Sequence, residues 1–292
     1  MLDNTLKHVR HAREQGAKFG DLGRMLILVA LLVTAWLILS EVREGRADIG
    51  QGDRSTPIQR EIERQRQRLS SSDIDERRDA LMRLGNLKRP EASRAAVVSL
   101  NDRSETVRVA AAHAVLSLPT SEAASVLVPL LKDKSEFVRR EAAFALGEAR
   151  DRSAVRPLVE MLRDKKASVR AAAAIALGNL GDEAAVAGLS EILTGGAPRG
   201  KESKNSDDDF VRRSAAKSLG QIHNRAAVPV LIQSLENLAS ASDTRREAAT
   251  SLGLIGDSSA LPALHAALES ANDPYLAEAT RAAIKAIERH TK

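Results

Sequence analysis

The sequence contains no cysteine, which excludes disulfides, thiolate metal sites and cysteine nucleophiles. Aromatic residues are scarce: four Phe, one Tyr and one Trp in 292 residues. Nucleic-acid bases would find few side chains to stack on. The same shortage, with few β-branched residues, argues against a large sheet. Charge of one sign is also lacking. Lys and Arg total 44 against 39 Asp and Glu, a formal +5, too small an excess at this length to make a nucleic-acid partner. There is no P-loop, no dinucleotide-binding glycine fingerprint, no nucleophile elbow and no H-E-x-x-H motif. The residues therefore point to no cofactor, no metal and no catalytic centre. What the chain has in abundance is Ala and Leu, which favour helices.

One long apolar run occurs, at residues 25–40, MLILVALLVTAWLILS, with no charge between Arg24 and Glu41. As a helix it would span ~24 Å against a ~30 Å hydrocarbon core. Leu22 and Gly23 extend it if Arg24 snorkels, and Trp36 suits the far interface. The run predicts a transmembrane helix behind a basic tail, residues 1–24. The basic residues flanking it lean toward a cytoplasmic N-terminus. The expected localisation is a single-pass protein of a bacterial inner membrane, its C-terminal part outside the cytoplasm. Residues 41–72 read as a charged linker, with a charged helix at Ile58–Leu69, and Ser72 with Asp75 resembles a helix-starting cap.

Beyond the linker the chain repeats itself. The block V-R-x-x-A-A-x-A-L-G stands as VRREAAFALG from Val138, VRAAAAIALG from Val169 and VRRSAAKSLG from Val211. Weaker copies start at Glu76, Val107, Thr244 and Leu276. The first three intervals are 31 residues; the next are 42, 33 and 32, so one insertion explains the long gap. Within a copy, Val138, Ala142, Ala145 and Leu146 make one helical stripe, and Ala154, Val155, Leu158, Val159 and Leu162 make a second. Gly147 closes the first helix or admits a close neighbour. Pro157 falls in the first turn of the second helix. No such pair buries its apolar stripe alone, so the pairs must stack. A second element recurs: Asp102, Asp133 and Asp164 precede Arg108, Arg139 and Arg170 by six residues each. These six residues are the expected rungs of a structural ladder. It weakens later, where Gly195, Asn237 and Ser270 replace the Asp, unless Asp207, Asp208 or Asp209 substitutes beside Arg212.

The block from Val138 to Gly147, followed by Ala154–Leu158, resembles the HEAT repeat superfamily, in the short Ala-rich version first described in phycobilisome lyases. The likeness covers residues 73–290. It implies an all-α, right-handed solenoid of about seven helical hairpins over residues 73–292. It also implies a protein-binding scaffold or adaptor without catalysis of its own, acting on partner proteins. Hydroxylases of the same fold carry paired His-Glu motifs. None of the six His here is followed by Glu, and His113 and His265 have no carboxylate beside them in sequence. The alternative is a lyase-like or chaperone role in attaching a chromophore or cofactor to a client, which the repeat itself does not supply.

Two regions are candidate partner contacts. One is the insertion 195–209, GGAPRGKESKNSDDD, with Lys201, Glu202, Lys204, Asp207, Asp208 and Asp209, its last Asp capping a helix that starts near Phe210. The other is the row of second helices, taken as the concave face, with Glu160, Arg163, Glu191, Gln233 and Glu236 projecting from it.

Overall fold

The computed structural model describes residues 55–195, 205–270 and 272–290, without the side chains of 205–207 and 290. The chain divides into two compact units, residues 1–59 and 60–292, and the first is described only at 55–59.

Among the described residues there are fourteen α-helices and no strand. A first helix, α1, spans Pro57–Arg68. Each copy of the repeated block then forms a long helix: α2 Ile74–Asn86, α4 Glu105–Ala114, α6 Glu136–Ala149, α8 Ala167–Leu180, α10 Asn205–Ile222, α12 Ser242–Ile255 and α14 Pro274–His290. Between them lie shorter second helices: α3 Pro90–Ala96, α5 Thr120–Leu127, α7 Val155–Met161, α9 Val186–Leu193, α11 Val228–Glu236 and α13 Leu261–Glu269. The last long helix has no second helix after it among the described residues. Seven pairs result when each short helix is joined to the long one that follows, with α1 preceding α2. Ile62 and Leu69 pack into the core from that end.

Local chemistry sets the boundaries. The cap of α2 is Asp73, not Ser72: its carboxylate accepts the Asp75 N–H at 2.9 Å. Ser71 Oγ accepts the Asp73 N–H and donates to Glu76. Asp151, Asp182, Asn224 and Asp257 each accept the N–H two residues on, starting the 3₁₀ turn that leads into a second helix. Long helices end in the left-handed conformation, at Arg150 (φ 55°), Gly181 (φ 64°), His223 (φ 56°) and Gly256 (φ 75°). Gly147 therefore does not close its helix. It is buried inside α6, and a Cβ there would stand 2.8 Å from the Ala176 Cα of α8.

The core is built from Ala and Leu, with Leu81, Leu127, Leu146, Leu177, Leu219 and Leu252 fully buried. Small residues let the long helices pack along their length, while second helices touch one another sparsely. The long helices are therefore the more closely packed row, and the second helices, expected on the concave side, are the looser one.

The expected single-pass membrane localisation is corrected. Among the described residues no helix is long and apolar enough to cross a membrane. The apolar run expected to supply that span, 25–40, lies outside the described residues, as do the basic tail and the first part of the linker.

Candidate functional site

The arginine that opens each long helix is almost completely enclosed. Arg77, Arg108, Arg139 and Arg170 have side chains 4, 6, 8 and 1% exposed. Each of the first three donates two parallel hydrogen bonds to an Asp 25 residues later: Arg77 to Asp102 (2.8 and 3.0 Å), Arg108 to Asp133 (2.7 and 2.8 Å), Arg139 to Asp164 (2.8 and 3.0 Å). The remaining Nη1 donates to a main-chain carbonyl six residues earlier, at Ser71, Asp102 and Asp133. An Asp therefore serves two rungs, its carboxylate on one Arg and its carbonyl on the next. The six-residue Asp–Arg pairs read from the sequence do meet, but through the carbonyl. The rung at Arg77 has the same 25-residue spacing and is hidden in the sequence by the degenerate block around it. Fork-on-fork geometry and carbonyl acceptors satisfy a charge that burial would otherwise penalise.

Burial by itself would raise the Asp133 carboxyl. The Arg108 hydrogen bonds, the Ser135 N–H and the charges of Arg108 and Lys134 outweigh it and hold the group below the ordinary carboxylate value. Asp102 behaves alike: burial raises it, and Arg77, the Ser104 N–H and Arg103 lower it further. A depressed folded pKa gives stability that is present above the unfolded value of about 3.9 and is lost as pH falls through the folded value. The destabilisation caused by Asp133→Asn is accordingly expected to be full at pH 7 and to shrink below pH ~4. Urea unfolding at pH 7, 4 and 3 checks this. An undiminished difference at pH 3 would show that the carboxylate charge is not what holds the rung.

The insertion shifts the fourth rung. Gly195 stands where the next Asp would be, and Arg170 instead donates to Asp208 at 2.8 Å. Asp209 pairs with Arg212 at 2.7 Å. Both carboxylates lie inside α10, which begins at Asn205, so Asp209 does not cap a helix at Phe210. Lys201, Glu202 and Lys204 lie outside the described residues, and the Asp207 side chain is not described.

The second-helix candidates are dispersed. Arg163, just past the end of α7, pairs with Glu191 of α9 at 2.9 Å, as Arg94 and Glu122 do across α3 and α5. Glu160 and Glu236 are exposed. Gln233 lines a small cleft beside Arg212. His113, which has no carboxylate beside it in sequence, meets Glu141 of the next long helix at 3.2 Å. Among the described residues no group of three or more acidic or His side chains is placed to hold a metal ion.

Sequence reasoning missed the long-helix row. Every aromatic residue described, Phe137, Phe144, Phe210 and Tyr275, belongs to a long helix, and only Phe144 packs against the core. Phe137, Phe210 and Tyr275 hold the same position, immediately before the opening residue of the repeated block. They are 48, 46 and 65% exposed. Each lies against an arginine: Arg140 5.5 Å from the Phe137 ring centre, Arg213 5.2 Å from Phe210 and Arg246 5.5 Å from Tyr275. Asp243 pairs with both Arg213 and Arg246 and fixes their direction. A cleft of about 490 Å³ runs along α10 between α8 and α12, lined by Ile175, Asn179, Phe210, Arg213, Lys217 and Glu247 among others. Burial raises the half-buried Glu247 carboxyl, against the pull of Lys217, Arg213 and Arg246. The signal was available: four aromatics remain after residue 54, three immediately before a copy of the block and Phe144 within one.

Several solved structures are similar. YibA of Escherichia coli is 21% identical, with a TM-score of 0.55, over 79% of this chain and 82% of that one. The complex of CpcE and CpcF of phycocyanin lyase from Nostoc is 23% identical, with a TM-score of 0.46, over 81% and 96%. Human deoxyhypusine hydroxylase is 23% identical, with a TM-score of 0.38, over 79% and 96%. At these identities the likeness concerns the fold. No curated protein matches the sequence. The HEAT repeat model matches residues 62–143, 126–203 and 197–285, which together take in every long helix but the end of the last. With stacked helical pairs, a recurring V-R opening and a buried Arg–Asp ladder, the chain belongs to the HEAT repeat family.

Proposed function

We propose that this chain is a protein-binding scaffold or adaptor with no catalysis of its own, wound as a right-handed superhelix, and that its partner lies on the row of long helices. The observation that carries the reading is the placement of the aromatics. The core is built of Ala and Leu, with only Phe144 of the described aromatics packed against it, while three rings stand exposed at one repeat position, where their arginine contacts add little to stability. Aromatic and arginine side chains are the residues enriched at the energetic centres of protein interfaces. Here they alternate along one surface, with the cleft beside α10 between two of them. The second helices offer paired charges instead, which contribute little to binding.

A photoreactive amino acid placed at Phe137, Phe210 or Tyr275 of the full chain tests this against the same residue at Glu160 or Glu236. The expected result is one discrete adduct from the long-helix positions and none from the second helices. Equal adducts from both rows would overturn the assignment. With that partner purified, Phe210→Ala combined with Arg213→Ala is expected to weaken binding at least tenfold, about 1.4 kcal/mol. Glu160→Ala is expected to leave it unchanged.

A further inference from the structure

The ladder breaks at Arg212, and we infer that the break is a binding site for a carboxylate supplied from outside the chain. The cleft beside Arg212 shares no lining residue with the cleft beside Phe210, and the inference does not depend on the scaffold reading. Arg212 occupies the same place in its block as Arg77, Arg108, Arg139 and Arg170. Its acceptor, 25 residues on, is Asn237. That residue keeps the local turn of its counterparts: its Oδ1 accepts the Ala239 N–H at 3.0 Å, as Asp102 Oδ1 accepts the Ser104 N–H at 2.7 Å. An amide has one acceptor oxygen, already engaged here, and its nitrogen donates only. It cannot take the two parallel bonds that a rung carboxylate takes.

Among the described residues Arg212 is left with the single Nη1 contact to Asp209, and its side chain is 23% exposed, against at most 8% for Arg77, Arg108, Arg139 and Arg170. Beside it opens a cleft of about 300 Å³, lined by Arg212, Thr194, Gln233, Ser234, Asn237 and Ser240 on its polar sides. Among the described residues no acidic side chain lines it. Ser234 is buried, 6% exposed, and its hydroxyl has no hydrogen-bond partner. A guanidinium and the Gln233 and Asn237 amides beside a space without a described anion, with the unpartnered Ser234 hydroxyl enclosed in its wall, complement a planar two-oxygen anion. Three complete rungs of the same molecule show that planar anion seated on the equivalent arginine at 2.7–3.0 Å. An aspartate or glutamate side chain of another polypeptide has the required chemistry.

The test uses the full chain, with the Arg212 Nε–H resonance followed in an arginine-labelled sample at constant ionic strength. The probe is N-acetyl-aspartate N-methylamide, with the corresponding blocked asparagine and inorganic phosphate as comparisons. A saturable shift with the aspartate probe and none with the asparagine probe is expected. Asn237→Asp supplies the carboxylate within the chain. It is expected to raise the melting temperature and to weaken the response at least tenfold. The site is overturned if the wild type gives no saturable shift, or if Asn237→Asp binds the probe as well as the wild type does. Tighter binding of phosphate than of aspartate would overturn the carboxylate assignment.

Discussion

Asp164→Ala is expected to destabilise the stack by about 3–5 kcal/mol, the usual cost of leaving one member of a buried ion pair alone. Arg139 and Asp164 are 8 and 7% exposed, the most evenly enclosed of the rungs. Removal of the carboxylate leaves a charged guanidinium that is only 8% exposed. The carbonyls of Asp133 and Lys134 still accept from its Nη1, at 2.9 and 3.3 Å, but they do not neutralise it. Combining Arg139→Met with Asp164→Leu is expected to recover most of the loss, because the rung then holds no charge, although the Lys166 N–H loses its acceptor, Asp164 Oδ1 at 2.9 Å. Urea unfolding at neutral pH measures the total. Hydrogen exchange in α6 and α8 shows whether the loss is local, as nearest-neighbour coupling in a repeat array predicts. A loss below ~1 kcal/mol would mean that the pair behaves as an exposed one.

Gly147→Val is the second large expectation, about 3 kcal/mol or more. The added Cβ meets main-chain atoms of Ala176, which move only if α8 moves as a body. Ala at this position gains up to ~1 kcal/mol of helix propensity and loses ~1–3 to overpacking, so it is expected to destabilise, but less than Val does. Gly85 is the control. Its Cβ would lie 3.3 Å from the Ala114 Cα, and Gly85→Ala is expected to be close to neutral. Gly181→Ala tests a different cause. Space is open there, but φ is 64°, and an L side chain costs about 1–2 kcal/mol in that conformation. The order of melting temperatures across the four variants checks the argument. Gly147→Ala at least as stable as wild type would mean that α6 and α8 are spaced wider than the structure has them.

The repeat count, the alternation of long and short helices and the identity of the core residues were legible in the sequence. They follow from a local rule: Val138, Ala142, Ala145 and Leu146 fall on one face of a helix whatever surrounds it, and the same spacing returns in every copy. The charged helix at Ile58–Leu69 was legible for the same reason, and its first core contact, Ile62, was one of its few large apolar residues. The ladder was visible as a pattern but not as a set of partners. Asp102 lies six residues from Arg108 and 25 from Arg77, and a sequence offers the nearer pair first. Only the stacking of one pair on the next brings Arg77 Nε to Asp102 Oδ2, and only the length of the insertion brings Asp208 to Arg170. Tertiary structure also decided which row packs more tightly. That depends on how closely Gly147 lets α6 approach α8, a distance between backbones that no periodicity encodes. The aromatic surface and the open rung at Arg212 belong to this second kind of fact. Each is made of side chains from separate helices, and the rotation and spacing of the stacked pairs set where they meet.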